Sequence, residues 1–160
     1  MIVVLMGVSG SGKTTIGRLL AGQLGWSFHD ADDFHPVTNV EKMRRGEPLN
    51  DADRIPWLEE MNRLIHKSLT SGSSLVLACS ALKSAYRPYL LIDQRVRLVY
   101  LKGDYSLIHN RLNERTGHYM NPTLLGSQFA ALEEPQDAIV ADIAAPPADI
   151  VRSVRESLQL

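Results

Sequence analysis

At 160 residues, 44% apolar and 22% charged, the chain can bury its own core and is too apolar for a disordered, collagenous or fibrous protein. Its 17 basic and 18 acidic residues leave a formal net charge of −1, so no global field draws in nucleic acid or an anionic membrane. Cys79 is the only cysteine, which excludes an intramolecular disulfide and a Cys-rich zinc site and fits a reducing, cytoplasmic setting.

The N-terminus lacks the basic region and cleavage site of a signal peptide, and no apolar run approaches the ~20 residues of a membrane span. Ile2 to Met6 is a continuous apolar run, the pattern of a buried parallel strand. A glycine-rich turn follows, then a helix with Ile16, Leu19, Leu20 and Leu24 inward, closed near Gly25. Trp26 to His29 predicts a short second strand. In the polar stretch after it, Thr38 is expected to cap a helix running to about Arg45. Asp53 to Ser71 predicts a long helix capped by Asp53, with Pro56 in its first turn and a stripe of Leu58, Met61, Ile65 and Leu69. Gly72 ends it. Strands are expected at Leu75 to Cys79, Val96 to Leu101 and Ala138 to Ile143. Helices are expected at Tyr86 to Ile92, at Tyr105 to Thr116, around Leu124, Leu125, Gln128, Phe129 and Leu132, and after Pro146 and Pro147.

This alternation predicts one α/β domain over residues 1–160, a five-stranded parallel sheet with helices on both faces. Two polar stretches, about 30–54 and about 111–135, exceed plain connections. Loops at the carboxyl ends of strands carry the chemistry in such sheets, so these are the candidate substrate pocket and lid.

The segment from Gly7 through Val8, Ser9, Gly10, Ser11 and Gly12 to Lys13 and Thr14 matches G-x-x-x-x-G-K-[ST] between a strand and a helix. Its glycines let backbone N–H groups turn inward onto phosphate oxygens, and the following helix, entered at Thr14 and Thr15, adds its positive end. Lys13 supplies a point charge for the β- and γ-phosphates, and the Thr14 hydroxyl a ligand for Mg²⁺. A dinucleotide fingerprint is excluded because Thr15 stands where its last glycine would fall. A regulatory GTPase is disfavoured because N-K-x-D and D-x-x-G are both missing.

His29 to His35 packs three carboxylates and two imidazoles into seven residues after the second strand. Phosphoryl transfer to an alcohol needs an acceptor-orienting base and an anchor for hydrated Mg²⁺. Asp30 and Asp32 would project to one side if the segment stays extended, one for each task. The spacing lacks the glycine and glutamate of an EF-hand. Lys42, Arg44, Arg45 and Arg54 can meet an anionic substrate group, against the plainer role of a solvated helix face. Ser80, Lys83 and Arg87 follow the third strand. Arg111 and Arg115 share a helix face and, with His118, suit a lid that neutralises charge on the moving phosphoryl group. Trp57 reads as packing, and His66 and His109 are assigned nothing.

With these residues in view the chain resembles the gluconate kinases, P-loop small-molecule kinases related to shikimate and adenylate kinases. The resemblance is carried by GVSGSGKTTIG at 7–17, DADDFHPVTNVEKMRRGEPLNDADRIPWL at 30–58, ACSALKSAYR at 78–87 and RLNERTGHYMNPTLLGSQFAALEEP at 111–135. It implies a three-layer α/β/α P-loop fold with a mobile lid, and ATP- and Mg²⁺-dependent phosphorylation of D-gluconate to 6-phospho-D-gluconate in sugar-acid catabolism. It also implies, commonly, a cytoplasmic homodimer. By position it makes Lys13 and Thr14 the phosphate and Mg²⁺ residues, Asp30 the metal anchor and Asp32 the base or orienter. His35, Lys42 and Arg54 become gluconate contacts, with Ser80 and Lys83 beside them, and Arg111 and Arg115 become lid arginines. Ala31 replaces a usual glycine. Shikimate kinase fits less well, since Cys79-Ser80-Ala81 stands where its glycine triplet is expected. The alternatives are a P-loop kinase for another small acceptor, such as a different sugar acid or a nucleoside monophosphate, and a non-catalytic nucleotide-binding module.

Overall fold

The computed structural model describes residues 1–114 and 122–160. Five parallel strands, β1 (Ile2–Met6), β2 (Ser27–Asp30), β3 (Leu75–Ala78), β4 (Val96–Lys102) and β5 (Ile139–Asp142), form one sheet in the order β2-β3-β1-β4-β5. Parallel neighbours cannot be joined by a hairpin, so helices cross between them. These are α1 (Lys13–Leu24), α2 (Val37–Arg44), α3 (Asp51–Ser71), α4 (Tyr105–Glu114), α5 (Pro122–Ala131) and α6 (Pro147–Leu158).

β1 is buried over its whole length, and its side chains alternate between two cores. Val3 and Leu5 pack with Ile16, Leu20, Val76, Val99, Ile150, Val151, Val154 and Leu158, the face covered by α1 and α6. Ile2, Val4 and Met6 pack with Trp57, Leu58, Met61, Ile65, Leu75, Leu77 and Leu98, the face covered by α3. Burial on both sides is why β1 reads as an unbroken apolar run. The register sets Leu5 against Ala78, and Ala78 against Asp30. Asp30 therefore leaves its strand on the same edge as the glycine turn after Met6.

Several local expectations are corrected. α2 begins after Pro36, whose carbonyl accepts from the Asn39 and Val40 amides, so Thr38 lies inside the helix and caps nothing. α3 starts two residues earlier than expected. Asn50 is its cap and Asp53 the reciprocal member of a capping box, which puts Pro56 beyond the first turn. The segment at Tyr86 is a 3₁₀ turn, Ser84–Tyr89, with Pro88 inside it, rather than a helix to Ile92. Leu19 and Leu124 point outward, at 36% and 50% exposure, although both fit the apolar spacing. The expected turn at Gly117, and Arg115 and His118 with it, lie outside the described residues.

Candidate active site

The phosphate loop joins β1 to α1, and its conformation depends on missing side chains. A Cβ on Gly7 would lie 2.5 Å from Ser11 Oγ and 3.0 Å from the Leu101 carbonyl. Gly10 has φ +80° and carries the chain under Leu112 of α4, whose side chain would lie 2.8 Å from a Cβ there. The Gly7 amide donates to the Ser80 carbonyl at 3.3 Å, which ties the loop to the segment after β3. Lys13 folds its ammonium back over the loop and donates to the carbonyls of Gly7 (2.9 Å) and Val8 (3.0 Å). Burial holds its pKa below the usual lysine range, opposed by the carboxylates of Asp32 and Asp30. Burial pushes the Cys79 thiol itself up to about 12, so it stays neutral beneath the site. Ser11 Oγ is buried without a protein partner among the described residues.

Asp30 and Asp32 do meet at the loop, by a route other than an extended segment. The chain turns into a 3₁₀ turn over Ala31–Phe34, capped by Asp30, whose Oδ1 accepts from the Asp32 amide at 2.9 Å. Oδ2 of Asp30 accepts from the Thr14 hydroxyl at 3.4 Å. Asp32 is open to solvent on one side while protein crowds the others. That partial desolvation, and then Asp30, raise its pKa, against the pull of His35 and Lys13. A carboxylate raised in this way is a better proton acceptor than a free one.

His35 follows this turn. Its ring stacks on the Trp57 indole, with centroids 4.6 Å apart and planes 10° from parallel. The Trp57 N–H donates to the Ala31 carbonyl at 2.6 Å, so the tryptophan is pinned between the 3₁₀ turn and α3.

Arg54 and Lys83 converge from α3 and from the segment after β3. Both cations lie 5.8 Å from the Tyr86 ring centroid. Tyr86 Oη donates to Asp51 Oδ1 at 2.5 Å, Lys83 Nζ donates to the same oxygen at 3.2 Å, and Arg54 lies 3.8 Å from it. The tyrosine hydrogen bond, then Lys83, hold the Asp51 pKa below its usual range. Lys42 is engaged as a strut, donating to Asp53 Oδ2 at 2.7 Å and joining α2 to α3. Arg87 is structural. It is 8% exposed and donates to the carbonyls of Ala81, Leu82 and Glu133. Arg111 lies in the last turn of α4, one residue before the Leu112 that packs over Gly10.

Four contributors escaped the sequence reading. Gln128 of α5 accepts from the Ser9 amide at 2.6 Å and donates to the Ser9 hydroxyl at 2.8 Å, across 119 residues. Its one signal is a polar side chain on the apolar stripe of α5. Asp51 and Tyr86 gave none, being ordinary surface residue types. Asn39 gave only its i,i+4 spacing from His35. Two surface depressions of about 300 and 320 Å³ lie elsewhere, near the start of β4, and neither includes a phosphate-loop residue.

The shikimate kinase family model matches residues 9–156. A probable gluconokinase of Xenopus tropicalis is 48% identical over 84% of this chain and 80% of its own length. The thermoresistant gluconokinase of Escherichia coli K12 is 42% identical over 99% of this chain and 93% of its own. The crystal structure of a gluconokinase from Sinorhizobium meliloti 1021 superposes with a TM-score of 0.84 at 38% identity, covering 98% of this chain and 90% of that one. With a phosphate loop, a flanking carboxylate pair and this degree of likeness, the chain belongs to the gluconokinases, on the P-loop kinase fold of the shikimate kinase family.

Proposed function

We propose that this protein transfers the γ-phosphoryl group of ATP to a terminal hydroxyl of D-gluconate, giving 6-phospho-D-gluconate and ADP. The observation that supports it is that Lys13, Asp30 and Asp32 meet at one loop, while Arg54 and Lys83 gather at Tyr86 from α3 and the segment after β3. ATP lies over Gly7 to Thr15, its phosphates meeting the inward amides and the Lys13 ammonium once that group leaves the Gly7 and Val8 carbonyls. Arg54 and Lys83 hold the gluconate carboxylate, Ser80 and His35 its hydroxyls. Asp32 orients the acceptor hydroxyl and takes its proton as that oxygen bonds to the γ-phosphorus and the bond to ADP breaks. Arg111, and Arg115 beyond the described residues, meet charge on the transferring group.

The residues present fit Mg²⁺. The Thr14 hydroxyl and an Asp30 carboxylate oxygen are hard oxygen donors already adjacent, as the ion requires when phosphates and water complete its shell. Bound there, it would neutralise charge on the phosphate oxygens. The whole chain reads as one kinase domain, cytoplasmic and a homodimer by family resemblance, and sedimentation tests the dimer.

The decisive assay is ADP release from Mg²⁺-ATP with gluconate, other sugar acids, shikimate and nucleoside monophosphates as acceptors. Release that depends on gluconate is the expected result. Release with another acceptor and none with gluconate would overturn the substrate, and nucleotide binding without turnover on any acceptor would overturn the kinase.

A further inference from the structure

Asn39 is a polar side chain only 4% exposed, on the inner face of a helix otherwise open to solvent. Its Nδ2 donates to the Asp53 carbonyl at 2.8 Å. A backbone carbonyl only accepts, so the amide nitrogen, not its oxygen, must face α3. The second N–H of that nitrogen meets His35 Nδ1 at 3.4 Å. An amide N–H has no lone pair to offer, so this contact is a hydrogen bond only when Nδ1 is the accepting, unprotonated nitrogen. An imidazolium would set two N–H groups against each other.

Two contacts hold the ring. Trp57 fixes its plane from one side, and Trp57 is itself fixed by the Ala31 carbonyl. Asn39 fixes its edge. The charged groups around the ring are Asp32 from the 3₁₀ turn and Arg54 from α3, with the Lys42–Asp53 pair behind Asn39. Burial lowers the His35 pKa below the usual imidazole range, Asp32 opposing and Arg54 adding to it.

We propose that Asn39 is a positioning residue that locks His35 in the Nε2–H tautomer, so that His35 serves as a neutral hydrogen-bond donor to an acceptor hydroxyl. The proposal rests on the gluconate-kinase reading for the identity of that hydroxyl, but the proposed tautomer depends only on contacts within the protein. Neutrality has a chemical consequence. An imidazolium beside Asp32 would pair with the carboxylate that the acceptor needs, and would favour a phosphate over a hydroxyl as ligand. A neutral donor on a rigid ring selects a polyol and leaves Asp32 free.

The first test is long-range ¹H–¹⁵N NMR of the full chain labelled at histidine, at pH 7 without ligands, with His35 assigned by its loss in His35→Gln. An unprotonated Nδ1 and a protonated Nε2 are expected. A protonated Nδ1, or averaged signals from mixed tautomers, overturns the proposal whether or not gluconate is the substrate.

The second test is kinetic. Asn39→Asp offers Nδ1 an acceptor in place of a donor. The wild-type tautomer signature should disappear and the gluconate KM rise about tenfold, the scale of one lost hydrogen bond to substrate, with the ATP KM unchanged. Should this variant fail to fold, His35→Gln and His35→Lys decide. The neutral donor should retain kcat/KM for gluconate within about tenfold, and the cation should lose at least another tenfold. Equal or better turnover by the lysine variant overturns the neutral-donor role. Absence of gluconate turnover in the wild type would instead fault the substrate, with the NMR result standing.

Discussion

Asp32 sits where activity and stability pull in opposite directions. Its pKa is raised in the folded protein, first by partial burial and then by Asp30. The help such a group gives the fold is full below its unfolded pKa and is lost as pH rises through the folded value. Above that folded value the carboxylate is therefore a cost to the fold, kept for its chemistry. Asp32→Asn should lower kcat by about 10²–10⁴, the usual contribution of a positioned base. Its melting temperature at pH 7, measured without nucleotide or metal, should equal or exceed that of the wild type. Wild-type turnover in the folded variant would remove Asp32 from the mechanism. Of the residue-scale features, Lys13, Thr14 and the two aspartates were legible because their types and spacing match a chemical need. The ring stack of His35 on Trp57 was not, because the contact joins residues 22 apart through a fold.

Among the elements, the start of α3 concentrates the most work in the fewest residues. Asn50 Oδ1 accepts from the Asp53 amide at 2.8 Å and Asp53 Oδ2 accepts from the Asn50 amide at 2.9 Å. The same Asp53 receives Lys42, and its carbonyl receives Asn39. One capped turn thus holds α2 in place and presents Arg54 one residue later. Asn50→Ala should destabilise the protein by about 1 kcal/mol, read as a lower melting temperature. The Asp53 pKa is lowered, chiefly by the Lys42 hydrogen bond. Its stabilising contribution is present above the unfolded value near 3.8 and lost as pH falls through the folded one. Asp53→Asn should accordingly shrink the stability difference between pH 7 and pH 3, and an unchanged difference would dismiss the pairing. The sequence by itself points to Asp53 as the cap. The capping box resolves the choice, since only Asn50 has the extended backbone of a cap.

At the scale of the whole molecule, the strand order brings the chemistry to one edge. β1 is central, flanked by β3 and β4, with β2 beyond β3. The phosphate loop, the Asp30 turn and the Ser80 to Lys83 segment are therefore three loops leaving adjacent carboxyl ends. Across this edge Gln128 bonds the amide and the hydroxyl of Ser9, coupling α5 to the loop. Gln128→Ala should raise the ATP KM by about tenfold, in proportion to one or two lost hydrogen bonds, with a smaller change in the gluconate KM. Equal effects on both would make Gln128 a general packing residue.

What the sequence determined by itself was the α/β repeat, the continuous burial of β1, the phosphate loop and the acidic cluster. Each is a local pattern, in which propensity, periodicity and residue chemistry act within a few positions. Only the tertiary structure decided which polar side chains work together. Lys42 became a strut and Arg87 an internal brace, and Arg54 and Lys83 converged on Tyr86. Asn39 closed on His35 only because the Asp53 carbonyl of another helix took its first N–H. Hydrogen bonds are short and directional, so partners are chosen by where the packed sheet and helices place them, and spacing along the chain carries no record of that choice.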